Sequence, residues 1–380
     1  MKLFHVVESM HDQAAENGIF SIMRESRLSH PDVQWTFYSA LGKPGRLDDA
    51  VRDLGAEVIY SPVPIGDTRR FISAFRATLL RDRYDILHTH HDIVSAVYLG
   101  ASLGTGLRRR IVHIHNTSMD LPTPSRIKKA VAWEPMRRTC LMLADRIVGV
   151  SETALLAMVL KNGPRQPRDS VVYCGIDTER FRNPRTSREA IRASIGVGPD
   201  TNVLLFAGRM TDYKNPQFVV EVLAEIAAET PDAVAVFAGV GPATDAVRQR
   251  ATDSGVSERI RIVGWRDDLP ELMFASDLML WPGSEFPREG LGLAIVEAQA
   301  AGLPVVMSRS VPNDAIVIPE IVSVVPLAKG AGAWGREAFR ILNKPRLARE
   351  DALARIERSP FSLAAATRNT MALYDDLPPR

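Results

Sequence analysis

Residues 289–306 read Glu289-Gly290-Leu291-Gly292-Leu293-Ala294-Ile295-Val296-Glu297-Ala298-Gln299-Ala300-Ala301-Gly302-Leu303-Pro304-Val305-Val306, in order a loop, a helix, a turn and a strand. Gly290 and Gly292 let backbone approach a ligand closely. A helix beginning near Leu293 aims its unpaired N–H groups and the positive end of its dipole at that ligand. Gly302 suits a C-terminal cap, and Pro304 ends the helix. Glu289 lies in the loop and Glu297 in the second turn of an otherwise apolar helix, where an unpaired carboxylate costs free energy. Either Glu297 bonds a neighbouring backbone group or arginine, or both carboxylates belong to a polar site.

The same alternation extends outward in both directions. Strands are expected at Lys2–Val7, Val33–Tyr38, Val58–Tyr60, Ile86–His88, Arg110–Ile114, Arg146–Val150 and Val171–Tyr173. A second set is expected at Asn202–Ala207, Val234–Ala238, Ile260–Val263, Leu278–Trp281 and Pro304–Met307. Amphipathic stretches such as Arg70–Arg83, Ser125–Ala144, Asn215–Glu229 and Leu293–Ala301 fall between them. Strands alternating with helices give doubly wound parallel sheets. The 380 residues fit two such α/β domains, facing across a cleft, with ligands at the C-terminal ends of the strands. The expected division is 1–185 and 186–360. The linker is expected near Asn183–Asp200, which holds Pro184, Gly196, Gly198 and Pro199.

A second motif, Leu205-Phe206-Ala207-Gly208-Arg209-Met210-Thr211-Asp212-Tyr213-Lys214, ends a strand in glycine and follows it with two cations. Arg209 offers a planar fork and Lys214 a point charge, a pair suited to a diphosphate. The plainer reading is two surface cations on a loop. Ala238-Gly239-Val240-Gly241-Pro242 begins like a dinucleotide loop but lacks its third glycine, and reads as a tight strand-to-helix turn.

Composition narrows the classes. Hydrophobic residues make up 46% and charged residues 24%, which excludes wholesale disorder. The two cysteines, Cys140 and Cys174, are too few for a disulfide scaffold and point to a reducing, cytoplasmic setting. No run is long and apolar enough for a bilayer, and the N-terminal residues do not read as a signal peptide. Residues 1–190 carry a net charge of +6 and the remainder −4. Basic clusters in the first half, including Arg69-Arg70, Arg108-Arg109-Arg110, Arg126 with Lys128 and Lys129, and Arg137-Arg138, read as solvated helix faces or as a surface for anionic lipid. No nucleic-acid reader motif is present, and aromatic residues are only 7%.

Taken together, these motifs resemble the retaining glycosyltransferases of family four, of GT-B fold. The Glu-x7-Glu signature corresponds to Glu289 and Glu297, and the Gly-Arg…Lys signature to Gly208, Arg209 and Lys214. Further similarity lies in Ala144–Glu152, Val171–Phe181 and Val263–Asp277, so the resemblance covers nearly the whole chain. It implies that Arg209 and Lys214 hold the diphosphate of a UDP- or GDP-linked sugar and stabilise the leaving nucleotide. Glu297 would bind the ribose hydroxyls. Glu289, with Gly290, Leu291 and Gly292, would hold the donor sugar. Trp265 and Arg266 would lie by the base. The segment over 361–380 would form a helix returning to the first domain.

The family often places a histidine at the end of the strand Ile111-Val112-His113-Ile114-His115-Asn116. His113 and His115 share a face, and His115 lies nearer the C-terminal end. His115 is therefore preferred as the catalytic histidine, with Asn116 as its partner. A hydrogen-bonded structural imidazole is the alternative. His88-Thr89-His90-His91 invites a metal reading, but the family needs no metal for catalysis, and acceptor contact is the preferred role. The first loop, Glu8–Gly18, carries one glycine where the family often has a pair. The stretch Pro282–Glu289 is longer than usual.

The implied reaction moves a hexose with retention onto a glycan or lipid-linked acceptor, in bacterial surface-polysaccharide assembly. Retaining glycosidases use two carboxylates about 5–5.5 Å apart, and no such loop-borne pair is evident here. Front-face attack, with the leaving phosphate oxygen taking the acceptor proton, is implied instead. The alternatives are a nucleotide-sugar epimerase of the same fold, a glycogen-type phosphorylase, and a non-catalytic nucleotide-sugar-binding subunit.

Overall fold

The alternation resolves, in a computed structural model, into two separate parallel sheets with helices around each. The structure describes residues 1–11, 14–117, 126–159, 165–286, 288–375 and 377. The first sheet contains β1 (Lys2–Val7), β2 (Gln34–Ser39), β3 (Glu57–Tyr60), β4 (Ile86–Thr89), β5 (Arg109–Ile114), β6 (Arg146–Gly149) and β7 (Asp169–Val171). Its strand order is β3-β2-β1-β4-β5-β6-β7. The second sheet contains β8 (Val203–Ala207), β9 (Val234–Ala238), β10 (Ile260–Gly264), β11 (Leu278–Trp281), β12 (Val305–Met307) and β13 (Val322–Val324), in the order β10-β9-β8-β11-β12-β13. Among the described residues, neighbouring strands all run parallel. Both are Rossmann-like α/β units, as expected.

The central strands are continuous apolar runs because helices cover both of their faces. All five residues of β8 are buried, as are all four of β11. In each sheet the strand order reverses once, between β1 and β4 and between β8 and β11. That is where an open parallel sheet exposes a crevice at its C-terminal edge.

Unit one comprises Met1–Ile176 and Leu363–Arg380, and unit two Asp177–Ser362. The expected boundary after residue 185 falls inside unit two. The Asn183–Asp200 stretch is not a plain linker, since it contains the helix Arg188–Ser194, capped by Ser187 Oγ accepting from Ala190 N–H. Arg188 and Arg192 anchor that helix on Asp277 at 2.6 and 3.3 Å. The cap and the two arginines outweigh the local glycine and proline content. Strand β13 lies outside the expected set, because three residues at a sheet edge are too few to show a period.

The C-terminal helix Leu363–Ala372 packs on the helix Ala14–Ser26 of unit one. Gly175 permits this approach, since a Cβ there would lie 2.7 Å from the Ala366 Cβ. Leu363 and Met371 of this helix, and Tyr374 just after it, are buried, the Leu and Met side chains each contributing about 1.5–3 kcal/mol.

Part of the expected basic surface is spent on this packing. The Arg109 guanidinium is buried and donates to the carbonyls of Leu373 (2.7 Å) and Asp375. Arg108 donates to Leu377 O at 3.1 Å. Arg137 is also buried, holding Glu134 and Met158 O at 2.9 and 2.8 Å. Arg69 and Arg70 remain exposed. The side chains of Arg126, Lys128 and Lys129, and residue Asp12 of the first loop, lie outside the described residues. Among those described, no helix is long and apolar enough to cross a membrane.

Candidate active site

In unit two, the two sequence motifs meet where β8 and β11 lie side by side. Gly208 follows β8, and its N–H donates to Ala238 O at 2.9 Å. A Cβ on Gly208 would lie 3.0 Å from Trp281 Cη2 and 3.4 Å from Lys214 Nζ. The missing side chain therefore lets the lysine fold back over the strand end. Lys214 closes a tight turn, Asp212–Lys214, and Asn215 at φ 53° turns the chain into the helix Pro216–Ile226. Asparagine tolerates that left-handed conformation.

The ammonium of Lys214 sits 4.5 Å from the Trp281 ring centroid and 3.4 Å from Glu289 Oε1. Burial pulls the Lys214 pKa down, Glu289 opposes that shift, and Arg209 adds to it. Arg209 is exposed and donates from Nη2 to Tyr213 Oη at 3.2 Å. Ser284 ties the β11 loop to this turn, donating to Tyr213 O from its N–H (2.6 Å) and its hydroxyl (3.0 Å). The Glu289 N–H in turn donates to Ser310 O at 2.9 Å. The expected loop, Gly290-Leu291-Gly292, is buried, and Gly292 at φ 78° starts the helix Leu293–Ala300. The result is two cations, one carboxylate and a helix N-terminus at one sheet edge. Such an edge suits a polyanion next to a polyol.

Glu297 stands one helical stretch further on and is partly buried. Burial pushes its carboxyl up to about 7, and Arg180 partly offsets this. Arg180 is tied to the same unit by a 2.7 Å bond from Nη2 to Asp267 O. Among the described residues Glu297 has no ion pair, unlike Glu289. Trp265, just beyond β10, is 53% exposed, so its ring is free to meet a planar group. Arg266 is not free in that way, since its Nε donates to Asp268 Oδ1 at 2.7 Å.

In unit one, His115 follows β5 directly. Its Nε2 lies 3.0 Å from His90 Nδ1, and its pKa is pushed down to about 4 by burial, which keeps the ring neutral. Asn116 does not partner the His115 ring. Its Nδ2 donates instead to Asp92 Oδ2 at 2.7 Å, while the His115 N–H donates to Asp92 Oδ1 at 2.7 Å. Asp92 adopts φ 45°, and burial raises its carboxyl to about 6.

Sequence reasoning misses Trp281, Arg180 and Asp92. Trp281 reads as ordinary core in a strand, and Arg180 lies far from Glu297 in the chain. Asp92 carries a readable signal, an Asp just after a strand, a residue type that tolerates a left-handed turn backbone.

Two family models match the chain. "Glycosyltransferase Family 4" covers residues 27–180 and "Glycosyl transferases group 1" covers residues 187–328. A Bacillus subtilis protein that carries the name glycosyltransferase EpsF is 24% identical over 352 residues, spanning 92% of this chain and 90% of the relative. The UDP-Gal:alpha-D-GlcNAc-diphosphoundecaprenol alpha-1,3-galactosyltransferase of Escherichia coli is 26% identical over 71% of this chain and 70% of its own. The crystal structure of Anabaena HepE in complex with UDP-glucose superposes with a TM-score of 0.79, at 18% identity, over 99% of this chain and all of the other. That likeness establishes the fold. The two sheets, the signature residues meeting at the β8–β11 edge and the two family matches lead to one assignment: the chain belongs to the family-4 glycosyltransferases of GT-B fold.

Proposed function

We propose that the chain transfers a hexosyl group from a UDP- or GDP-linked sugar to a glycan or lipid-linked acceptor, with retention at the anomeric carbon. The observation that carries this reading is the Lys214–Glu289 pair, 3.4 Å apart over Trp281 at the edge where β8 meets β11. A donor diphosphate placed there would take over Lys214, joined by Arg209, and release Glu289 to the sugar hydroxyls. Burial of Lys214 and Glu289 then makes their interactions stronger than they would be in water.

The bond from the anomeric carbon to the diphosphate oxygen breaks while the acceptor oxygen bonds to that carbon on the same face. The acceptor proton passes to the departing phosphate oxygen. Lys214 and Arg209 supply the positive charge that the leaving group needs, so we assign the chemical step to the protein's own cations, with no metal required. Glu297 binds the ribose, Trp265 the base, and neutral His115 orients the acceptor or donor sugar through its ring. The name of the Escherichia coli relative, with its UDP-linked donor and diphosphoundecaprenol acceptor, supports a lipid-linked acceptor, and we place the reaction at the cytoplasmic face of the membrane. We place the protein in surface-polysaccharide assembly on the same ground. HepE with UDP-glucose supports testing uridine donors first.

The test is thermal unfolding of the wild type and Arg209→Ala with UDP, GDP, ADP and CDP. A nucleotide at 100 times its dissociation constant should add about 2.7 kcal/mol to stability. One nucleotide stabilising the wild type but not the variant supports the reading. No response to any of them, with the donor sugars also inert, overturns it.

A further inference from the structure

Five of the eight histidines gather on one face of the first sheet. His5 on β1 stands in register with His88 on β4, and His90 follows two residues on. His113 and His115 are likewise two apart along β5 and its end, so strand alternation puts them on the same face. The rings join through nitrogen atoms, His5 Nδ1 to His90 Nε2 at 3.1 Å, His90 Nδ1 to His115 Nε2 at 3.0 Å and His88 Nε2 to His113 Nδ1 at 3.2 Å. Tyr374 of the C-terminal segment closes the group, its hydroxyl lying 3.3 Å from His5 Nε2 and 2.8 Å from His88 Nδ1. Trp35 stacks on His5 with ring centroids 4.9 Å apart.

This is an unusual way to fill a core. Neighbouring positions on the same face carry Leu3, Val7, Ile86 and Ile111. Burying polar rings among them costs free energy that weak N–H···N bonds recover only in part. Beyond the rings, His113 has only the Val172 backbone beside it. A cavity of about 20 Å³ lies between the five rings, Trp35, Val172 and the helix Ala14–Ser26. Among the described residues no carboxylate joins the ring-to-ring bonds.

We infer that His5, His88 and His90 form a binding site for one transition-metal ion of the zinc type. One nitrogen from each of the three already lies within 4.8 Å of the others. The outer bonds select which atoms ligate. The Tyr374 oxygen can accept N–H groups from both His5 Nε2 and His88 Nδ1, leaving His5 Nδ1 and His88 Nε2 as lone-pair donors to the ion. His90 donates its Nδ1–H to His115 and turns Nε2 inward. Each ligating ring then gives its other N–H to an outer partner, the arrangement that fixes metal-bound histidines. The 3.1 Å between His5 Nδ1 and His90 Nε2 widens slightly to reach the spacing of adjacent ligands at Zn–N about 2.0–2.1 Å. His88 Nε2 gives up its contact with His113 to do so.

The ion is structural in this assignment and takes no part in sugar transfer. It pins β1 to β4, fastens the C-terminal segment through Tyr374, and sets the tautomer of His115 through His90. A chain held only by hydrogen bonds would leave that tautomer free to reverse.

The test uses the full chain without a histidine tag, stripped with chelator and then dialysed against Zn²⁺ or Co²⁺. We expect one tightly held ion per chain by elemental analysis, a visible Co²⁺ ligand-field spectrum, and a raised unfolding temperature. Tyr374→Phe keeps the three ligands and should weaken binding about 10- to 100-fold, as loss of an outer partner does. His90→Gln should abolish stoichiometric binding, while the double variant His11→Gln, His30→Gln, outside the cluster, should bind as the wild type does. If His90→Gln does not fold, the Co²⁺ spectrum and the Tyr374→Phe affinity decide. Binding that survives His90→Gln, that is lost in the His11, His30 variant, or that never exceeds background in the wild type overturns the inference. Nucleotide-induced stabilisation, read in the same samples, reports separately on the donor site.

Discussion

Glu297→Gln isolates the cost of holding a carboxyl in the apolar helix Leu293–Ala300. In the folded chain the Glu297 carboxyl titrates at about 7, against 4.5 when exposed. Because its folded pKa is raised, the stability it contributes is complete below about pH 4.5 and is lost as pH rises through 7. Every tenfold change in proton affinity between the folded and unfolded chain corresponds to about 1.4 kcal/mol, so the full loss is about 3 kcal/mol. Glutamine keeps the shape and cannot ionise, so the variant lacks this slope. The two proteins should unfold at similar temperatures near pH 5. By pH 8 the variant should be more stable by up to about 3 kcal/mol, or very roughly 6–12 °C for a unit of this size. Other titrating groups are common to both proteins and cancel in the difference. The assay is a thermal unfolding series from pH 5 to 8 on the apo protein, following the transition that responds to nucleotide. A difference that does not change with pH, or a variant less stable at pH 8, would refute the argument that burial raises this carboxyl. Nucleotide binding should move the opposite way, since the variant loses the charged acceptor for the ribose and its affinity should fall about 10-fold.

Three further outcomes follow from the geometry. Lys214→Met leaves Glu289 without the ammonium that lies 3.4 Å away; nucleoside diphosphate affinity should fall about 10- to 100-fold by calorimetry, and Glu289→Gln should cost about 10²–10³ in turnover of the donor sugar while nucleotide still binds. Gly239→Ala would place a Cβ 2.0 Å from Gly208 O at φ 147°, so it should destabilise unit two by about 3 kcal/mol or more, whereas Gly255→Ala, at φ 67° with nothing within 4 Å, should cost only about 1–2 kcal/mol in denaturant unfolding. Asp92→Ala removes the acceptor for the His115 and Asn116 groups and puts alanine at φ 45°; it should lower stability by about 2–4 kcal/mol, while Asp92→Asn, suited to that backbone, should lose much less.

Much was legible in the sequence because it is written in local patterns. Apolar runs of four to six residues between amphipathic stretches give parallel strands wherever both faces are covered, and β1, β9 and β11 begin and end where the pattern does. Glu289, Gly292 and Lys214 were readable for a similar reason, since a loop between a strand end and a helix start is confined to the ligand edge of the sheet. The limits of local reading are equally specific. Residues 183–200 look like a linker by composition, yet Arg188 and Arg192 reach Asp277, some 85–89 positions away in sequence, and make the stretch part of unit two.

The sequence by itself determined the fold class and the family, because periodicity and motif spacing depend on neighbours along the chain. Only the tertiary structure decided which side chains share an environment. It spent Arg108 and Arg109 on the C-terminal segment rather than on a charged surface. It set Lys214 against Trp281 and Glu289, and among the described residues it left Glu297 without an ion pair, beside an Arg180 distant in sequence. It also drew five histidines from three strands, and a tyrosine 369 positions from His5, into one buried group. Burial and pairing depend on what the folded chain brings close, and that sets the pKa of a carboxyl or the free lone pair of an imidazole.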